Sequence, residues 1–281
     1  MSVELRHLTQ PAEFQRCVDL QKIVWGFADR DVVPARMMTI AVHHGGLAIG
    51  AFENGLMIAF VFAIPSLHDG RFAQHSHMLA VLEEYRNRGI GRTLKIAQYQ
   101  DALARGIGVV TWTFDPLETK NAFLNLNRLG AVSNTYYVNL YGEQTSSELH
   151  SGLGTDRFLA EWFIGEKRTE RIIEGMNPVS PHWQQFPKVL AWSGGERFSP
   201  AAPDLEQSGR ALLVEAPPDT QLLKKLDRDA AQEWRLGTRA AFTHYFEQGY
   251  WLKGLARAEN PLPVPDYSLK RSFYLLEHHE N

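Results

Sequence analysis

The stretch Met78-Leu79-Ala80-Val81-Leu82-Glu83-Glu84-Tyr85-Arg86-Asn87-Arg88-Gly89-Ile90-Gly91-Arg92 decides how the chain is interpreted. The apolar run that ends at Leu82 is typical of a strand, and apolar residues at helical spacing follow from Ile90 to Ala104. Between them, two glycines allow backbone conformations with positive φ, and the first amides of a helix point at whatever lies in front of it. The stretch therefore predicts a strand, an anion-binding loop and a helix.

Two common phosphate-binding loops do not fit this spacing. The dinucleotide fingerprint needs a third glycine at Leu94, and the P-loop needs a glycine at Arg86 and a lysine at Arg92. The pattern Arg86-x-x-Gly89-x-Gly91 instead resembles the coenzyme A pyrophosphate loop of GNAT-family N-acyltransferases, (Arg/Gln)-x-x-Gly-x-(Gly/Ala). The alternative is an ordinary solvated basic turn. The resemblance implies that acetyl-CoA or another acyl-CoA binds at Arg86, Asn87, Arg88, Gly89, Ile90, Gly91 and Arg92.

Composition limits the class of protein. A chain of 281 residues with 44% hydrophobic content buries a large core, and its length suits two domains. The formal net charge of -3, without a basic stretch, argues against nucleic acid or an anionic membrane as a partner. The single cysteine, Cys17, lies in an apolar helical stripe, which favours a core position and a reducing compartment. With neither a signal pattern nor a membrane-spanning run, the expected location is cytoplasmic.

The order of predicted elements indicates the fold. Residues 1–142 give a strand, two helices, a hairpin turning at Asn54-Gly55, a strand, the loop, a helix, a strand, a helix over 117–129 and a strand over 132–140. This is the order of a GNAT domain. We therefore predict an α/β (α+β) fold: a GNAT-like mixed sheet flanked by helices over 1–142, and a smaller α+β domain over 143–281. That second domain is interpreted either as shaping an acceptor pocket or as a degenerate second GNAT-like half.

The resemblance also implies which residues meet the cofactor arm. In the family, the strand before the loop bonds the pantetheine through its main chain, a role that falls here to Leu79, Ala80 and Val81, and one amide points at the thioester oxygen. An asparagine on the following helix often contacts coenzyme A, which makes Asn121 the candidate. An ordinary solvated helix face is the alternative for Asn121.

Two histidines precede the loop. An alkylammonium has a pKa of about 10 and must lose a proton before its nitrogen attacks a thioester, and imidazole is well suited to accept it. His75 and His77 are two residues apart on a predicted strand, so their side chains should share one face. The run from His75 to Val81 is similar to that of serotonin N-acetyltransferases, which implies a proton relay through His75 and His77. The alternative is a polar pair that lines the sheet.

One position departs from the family pattern. Many members carry a tyrosine that reprotonates the leaving thiolate, and it lies four residues before the glycine that ends the helix predicted here over 117–129. In this chain that position is Leu126. The general acid stays open among Tyr136, Tyr137, Tyr141 and water. A covalent route through Cys17 is not favoured, because this thiol lies far from the loop in sequence.

Three arginines mark a predicted helix in the C-terminal half. Arg228, Arg235 and Arg239 share one face, where they either bind a substrate carboxylate or phosphate or form a solvated face paired to acidic residues. The pattern favours the paired face.

These observations predict an acyl-CoA-dependent N-acyltransferase of class EC 2.3.1, without a metal. It would move an acetyl group from acetyl-CoA to the amine of a small molecule by direct attack in a ternary complex. A non-catalytic acyl-CoA-binding or regulatory module is the alternative, and acylation of a protein N-terminus or lysine is a third possibility.

Overall fold

A computed structural model describes residues 3–142, 152–261 and 270–278. The described residues form two compact units. The first holds residues 3–112 and 161–167, and the second holds 113–142, 152–160, 168–261 and 270–278. Because the units interleave along the chain, the sequence-based boundary after residue 142 stays a prediction.

The first unit follows the predicted order closely. Its elements are β1 (Glu4–His7), α1 (Pro11–Trp25), α2 (Ala35–His43), β2 (Leu47–Glu53), β3 (Leu56–His68), β4 (Arg71–Val81) and α3 (Ile90–Ala104). Two further strands, β5 (Val109–Phe114) and β7 (Arg157–Phe163), contribute residues to both units. The strands lie in the order β1-β2-β3-β4-β5. Successive pairs from β1 to β4 are antiparallel, whereas β4 and β5 are parallel, which confirms the mixed sheet.

Local sequence signals explain these boundaries. The β2–β3 hairpin turns at Asn54 and Gly55, which both have positive φ, as the Asn-Gly pair predicts. Helix α1 ends at Gly26 in the left-handed conformation. Cys17 is fully buried in the core between α1 and the sheet, as expected from its apolar stripe.

The second unit contains a separate sheet. Its helices are α4 (Thr119–Phe123), α5 (Lys167–Ile173), α6 (Thr220–Leu226) and α7 (Arg228–Glu247), the first residue of α5 belonging to the first unit. Its strands are β6 (Tyr136–Tyr137), β8 (Lys188–Leu190), β9 (Ala211–Ala216), β10 (Tyr250–Pro261) and β11 (Lys270–His278). The separate sheet has the order β10-β11-β9-β8, in which β8 and β9 are parallel and the other neighbours are antiparallel. The predicted α+β C-terminal region is thus present.

Two predicted elements of the second unit differ from the structure. The helix expected over 117–129 is the short α4 followed by a π-helical turn, Leu124–Arg128. Both amide atoms of Asn127 bond the main chain of Leu255, a tertiary pairing that favours the wider turn. The strand expected over 132–140 is reduced to β6, and Asn139, with φ of 48°, turns the chain soon after it. Over the described ranges, no helix is long and apolar enough to cross a membrane.

Candidate active site

The loop between β4 and α3 has the backbone of an anion-binding turn. After a single 3-10 turn, Glu83–Tyr85, the chain adopts positive φ at Asn87 (62°) and at Gly89 (80°), which begins α3. No side chain caps this helix. The first amides of any α-helix point away from its own hydrogen bonds, and the positive end of the helix dipole adds to them. The loop therefore presents amides to the position where a pyrophosphate is expected.

The basic side chains of the loop are mostly exposed. Arg86, Asn87 and Arg88 are exposed, and Arg92 is half-buried in the first turn of α3. Arg88 stacks its guanidinium over the Tyr85 ring at 4.9 Å. The structure thus brings the predicted residues 86–92 together in one accessible basic loop.

Gly91 sets how closely the helix approaches the strand. A methyl group at Gly91 would lie 3.4 Å from Cδ2 of Leu79 and 4.0 Å from Cγ2 of Val81. Ile90 beside it is buried in the core and fixes the start of the helix. The first turn of α3 therefore packs against the end of β4, next to the predicted main-chain contacts.

The free edge of β4 is the second part of the site. Parallel pairing with β5 is confined to Gln74 with Val110 and His75 with Thr111. On its other side, β4 pairs with β3 as far as Val81. Among the described residues, the edge of β4 from Ser76 to Val81 therefore has no strand partner on the β5 side. An extended ligand can bond to such an edge as an added strand.

A β-bulge lies in the middle of this edge. Ser76 pairs with Ala63 and Met78 with Phe62, so His77 is an extra residue on β4. The His77 ring meets the ring of Phe62 edge-on at 6.4 Å and lies 6.3 Å from that of His75. The bulge reverses the alternation of the strand after His77. Leu79 and Val81 consequently point to the α3 side, whereas the two imidazoles lie together on the opposite face.

The two imidazoles differ in environment. His75 is half-buried, and its Nδ1 lies 3.0 Å from the hydroxyl of Thr111. Burial, with the added repulsion of His77 and Lys95, lowers the pKa of His75 to about 4. His77 is accessible to water, yet desolvation by the surrounding protein lowers its pKa.

No direct hydrogen bond joins the two rings in the described structure. The ring centroids lie 6.3 Å apart, so a proton relay between the rings would have to run through a bridging water.

Sequence reasoning missed a polar cluster beneath this edge. Lys95 is only 4% exposed and points into the core on the α3 side of the sheet. Its ammonium lies 2.8 Å from the hydroxyl of Ser76 and 3.8 Å from the centre of the Trp112 ring. Helical spacing was the available signal, because positions 90, 94, 95, 98, 99 and 102 form one buried stripe.

The remaining predicted residues lie in the second unit. Asn121 is exposed on α4, which neither supports nor excludes a contact with coenzyme A. Asn125, on the same predicted polar face, is buried, because the π-helical turn changes the spacing.

The tyrosines considered as general acids are in different situations. Tyr136 donates its hydroxyl to Asp156, and burial raises its pKa, so it is a poor proton donor. Tyr137 is half-buried. Tyr141 is exposed and its hydroxyl lies 3.1 Å from that of Thr113.

Two of the three arginines of α7, Arg235 and Arg239, are bonded to acidic residues, and Arg235 is buried rather than solvated. Arg235 is 1% exposed and donates to both carboxylate oxygens of Asp115 at 2.8 and 2.9 Å. Arg239 donates to Asp156 through two nitrogens, Nε to Oδ2 and Nη2 to Oδ1, each at 2.9 Å, whereas Arg228 is exposed. The expectation of acidic partners thus holds for Arg235 and Arg239, and the expectation of a solvated face is wrong for Arg235.

The N-terminal part of the chain matches a known protein family. Residues 7–125 match the family described as "Acetyltransferase (GNAT) family". A search of curated protein sequences found no match.

Three solved structures are similar to more than half of this chain. The ribosomal-protein-S18-alanine N-acetyltransferase from Escherichia coli is 18% identical, with a TM-score of 0.46 over 59% of this chain and 96% of that one. The PaiA N-acetyltransferase from Thermoplasma acidophilum, solved with coenzyme A, is 15% identical, with a TM-score of 0.41 over 58% and 99%. A GNAT acetyltransferase from Streptococcus pneumoniae is 16% identical, with a TM-score of 0.46 over 58% and 100%.

Proposed function

Because residues 7–125 match the GNAT family of acetyltransferases, we propose that this chain transfers an acetyl group from acetyl-CoA to the amine of a small molecule. The observation that carries this proposal is the placement of an uncapped helix start, an unpaired strand edge and an imidazole pair along one end of β4. The helix start would bind the diphosphate of acetyl-CoA, the strand edge would bond its pantetheine arm, and the imidazoles would accept the proton of the amine.

The loop supplies the diphosphate site. Amides of residues 89–92 and the dipole of α3 favour a negative charge in front of the helix. Arg86, Arg88 and Arg92 add positive charge around it, in a protein whose net charge is -3. Positive φ at Asn87 and Gly89 allows the backbone to turn its amides toward the ligand. Asn121 is retained as a further contact, on the strength of the family resemblance alone.

The strand edge positions the acyl group. Main-chain groups of Leu79, Ala80 and Val81 would bond the amides of the pantetheine arm. An amide of this edge would also donate to the thioester oxygen as negative charge develops on it, which stabilises the tetrahedral intermediate. The amine nitrogen then forms the new bond to the carbonyl carbon, the carbon–sulfur bond breaks, and coenzyme A leaves as the thiolate.

The histidines would handle the proton of the amine. His77 is accessible and neutral at physiological pH, so we assign to it the first acceptance of the proton, through water where needed. His75 would relay the proton or orient the bridging water, with Thr111 fixing its ring. Tyr137, Tyr141 or water would return a proton to the thiolate.

The rival function is an acyl-CoA-binding module without turnover. One observation favours it: the position where many family members carry the acidic tyrosine is Leu126, which is fully buried. A module would keep the loop and the strand edge but would not require the imidazole pair.

Thiol release separates the two functions. The protein is mixed with acetyl-CoA and a panel of arylalkylamines, polyamines, aminoglycosides and peptides with free N-termini, and free coenzyme A is followed. Turnover with a small amine supports the proposal, turnover with peptides alone would redirect it to protein acceptors, and binding without turnover would favour the module.

The matched variants are His77→Ala and His7→Ala. His7 lies on β1 and is exposed, which makes it a control for the loss of an imidazole remote from β4. We expect His77→Ala to lower kcat by about a hundredfold and to remove the acidic limb of the rate profile. If His77→Ala kept the wild-type rate and that acidic limb, His77 would not be the general base.

A further inference from the structure

Lys95 is a buried lysine on the α3 side of the sheet that the proposed transfer does not use directly. It is 4% exposed, and no described carboxylate forms an ion pair with it. Burying an ammonium is costly unless its protons find partners, and burial lowers the pKa of Lys95 well below its ordinary value. A group this costly to bury suggests a specific role rather than simple packing.

The partners of Lys95 form a closed set. Its Nζ donates to Ser76 Oγ at 2.8 Å and to Gln98 Oε1 at 3.1 Å, and Ser76 in turn donates to the same Gln98 oxygen at 3.0 Å. The Trp112 ring lies 3.8 Å from Nζ and the Trp162 ring 5.8 Å. Two hydrogen bonds and an aromatic face account for three ammonium protons.

This set holds β4 at the point where the strand is least constrained. Ser76 is the first residue after the last parallel pair with β5, and it directly precedes the bulged His77. On the β5 side, no described strand bonds this segment. The hydroxyl of Ser76 is therefore a side-chain anchor for a backbone irregularity that places both imidazoles.

We propose that Lys95 is a positioning residue for the acyl transfer, which holds the bulge of β4, and with it His75 and His77, through its hydrogen bond to Ser76. The inference rests on the proposed function. Lys95 acts from beneath the sheet and touches neither the acyl donor nor the acceptor.

The electrostatic surroundings of His75 agree with this placement. The titratable groups that affect its pKa are His77 on the same strand and Lys95 on α3, and Thr111 on β5 is its hydrogen-bond partner. A protonated Lys95 disfavours a second positive charge on His75, so it also helps to keep that imidazole neutral.

The test compares Lys95→Met, Ser76→Ala and the double variant with Tyr99→Phe as a control. Tyr99 is also on α3, packs on Trp162 at 5.2 Å and accepts a hydrogen bond from the amide of Gly165, but does not anchor β4. We expect each of the first two variants to lower kcat by about tenfold to a hundredfold, as misplaced catalytic groups do, with KM for acetyl-CoA unchanged. The double variant should lose no more than the worse single one, because both changes break one interaction. Tyr99→Phe should keep the wild-type kcat.

A second readout does not depend on turnover. NMR titration of the imidazoles should show the pKa of His75 rising in Lys95→Met and staying lowered in Ser76→Ala, which keeps the lysine. Wild-type kcat in folded Ser76→Ala and Lys95→Met would overturn the positioning role while leaving the proposed function intact. A wild-type protein that turns over no amine would instead overturn the proposed function, and an unmoved His75 titration in Lys95→Met would then count against the inference separately. Should Lys95→Met fail to fold, Ser76→Ala decides the question by its kcat.

Discussion

At the scale of single residues, His75 shows how the surroundings of a side chain set its pKa. Its side chain lies where β4 and β5 last pair, half-buried and bonded to Thr111. With a pKa of about 4, it is neutral throughout the physiological range. An acidic limb of the activity between about pH 4 and the ordinary imidazole value of about 6.5 would therefore report His77, whose pKa is lowered by desolvation, rather than His75.

The lowered pKa of His75 predicts a pH dependence of folding stability. Between pH 6.5, the ordinary value, and about pH 4, the unfolded chain binds a proton here that the folded chain does not. The free energy of unfolding should therefore fall as the pH falls through this window, by at most about 3 kcal/mol from this residue. Urea unfolding of the wild type and of His75→Gln at pH 7 and pH 5 measures the difference. Equal losses in the two proteins would show that His75 titrates normally when folded.

Cys17 gives a second prediction at this scale. The thiol is fully buried, its Sγ lies 3.9 Å from the sulfur of Met57, and burial raises its pKa to about 12. Because the thiolate is the reactive form, a disulfide-exchange reagent should leave the native protein unmodified and should label one thiol after denaturation. Rapid labelling of the native protein would place Cys17 at an accessible site.

At the scale of elements, the strand, loop and first helix of the site were predictable because their signals are local. The apolar run to Leu82, the glycines at 89 and 91 and the helical spacing from Ile90 all act within a few residues. The bulge at His77 was not predictable. It depends on the register that β3 imposes from the opposite strand, which the sequence of β4 does not contain.

The prediction of a regular helix after β5 was wrong for a similar reason. Its polar spacing is that of a regular α-helix, but the pairing of Asn127 with Leu255 is a contact between residues 128 positions apart. Lys95 was different, since its place in the buried stripe of α3 could be read from spacing.

The two loop glycines predict opposite responses to a methyl group. Gly89 has φ of 80° with open space around it, so Gly89→Ala meets backbone strain alone, about 1–2 kcal/mol. Gly91 has no such φ, and a methyl there makes ordinary contacts with Leu79 and Val81. Calorimetry with coenzyme A should show binding weakened by Gly89→Ala and largely retained by Gly91→Ala. Equal binding by both variants would mean that the turn at Gly89 does not form the site.

At the scale of the whole molecule, the second unit contains a buried ionic network. Arg235 and Arg157 both reach Asp115, and all three residues are buried. Removing one partner of a buried pair leaves an uncompensated charge, so Arg235→Ala should cost about 3–5 kcal/mol of unfolding free energy. The exposed pair of Lys120 with Asp219 is the control, and Lys120→Ala should cost less than about 1 kcal/mol. Comparable losses in urea unfolding would show that Asp115 is not desolvated.

The strand arrangement of the second sheet bears on the idea of a degenerate copy. In both sheets a parallel pair is present, β4 with β5 and β8 with β9. In the first sheet, β7 lies beside β5, and in the second sheet, β11 lies beside β9. Each of these strands, β7 and β11, comes after a helical region and one further strand in the chain. The resemblance ends at the ligand-binding features, because residues 191–210, between β8 and β9, form no helix whose start could hold a diphosphate.

The edge of β8 is also occupied. Pairing of β8 with β9 ends at Leu190 and Val214. Beyond that pair, the backbone amide of Trp192 donates to the carboxylate of Glu215 at 2.7 Å. Glu215 is fully buried and held by two hydrogen bonds from Arg271. The position that an extended ligand would take is therefore filled by a side chain of the protein itself.

Calorimetry should accordingly find one molecule of coenzyme A bound per chain. Gly89→Ala should weaken that binding, whereas Glu215→Ala, which empties the edge of β8 without supplying a diphosphate site, should leave the stoichiometry at one. Two equivalents bound by the wild type would show that the second sheet retains a working site despite Glu215. Binding that is lost in Glu215→Ala but kept in Gly89→Ala, with both variants folded by circular dichroism, would move the site from the first sheet to the second.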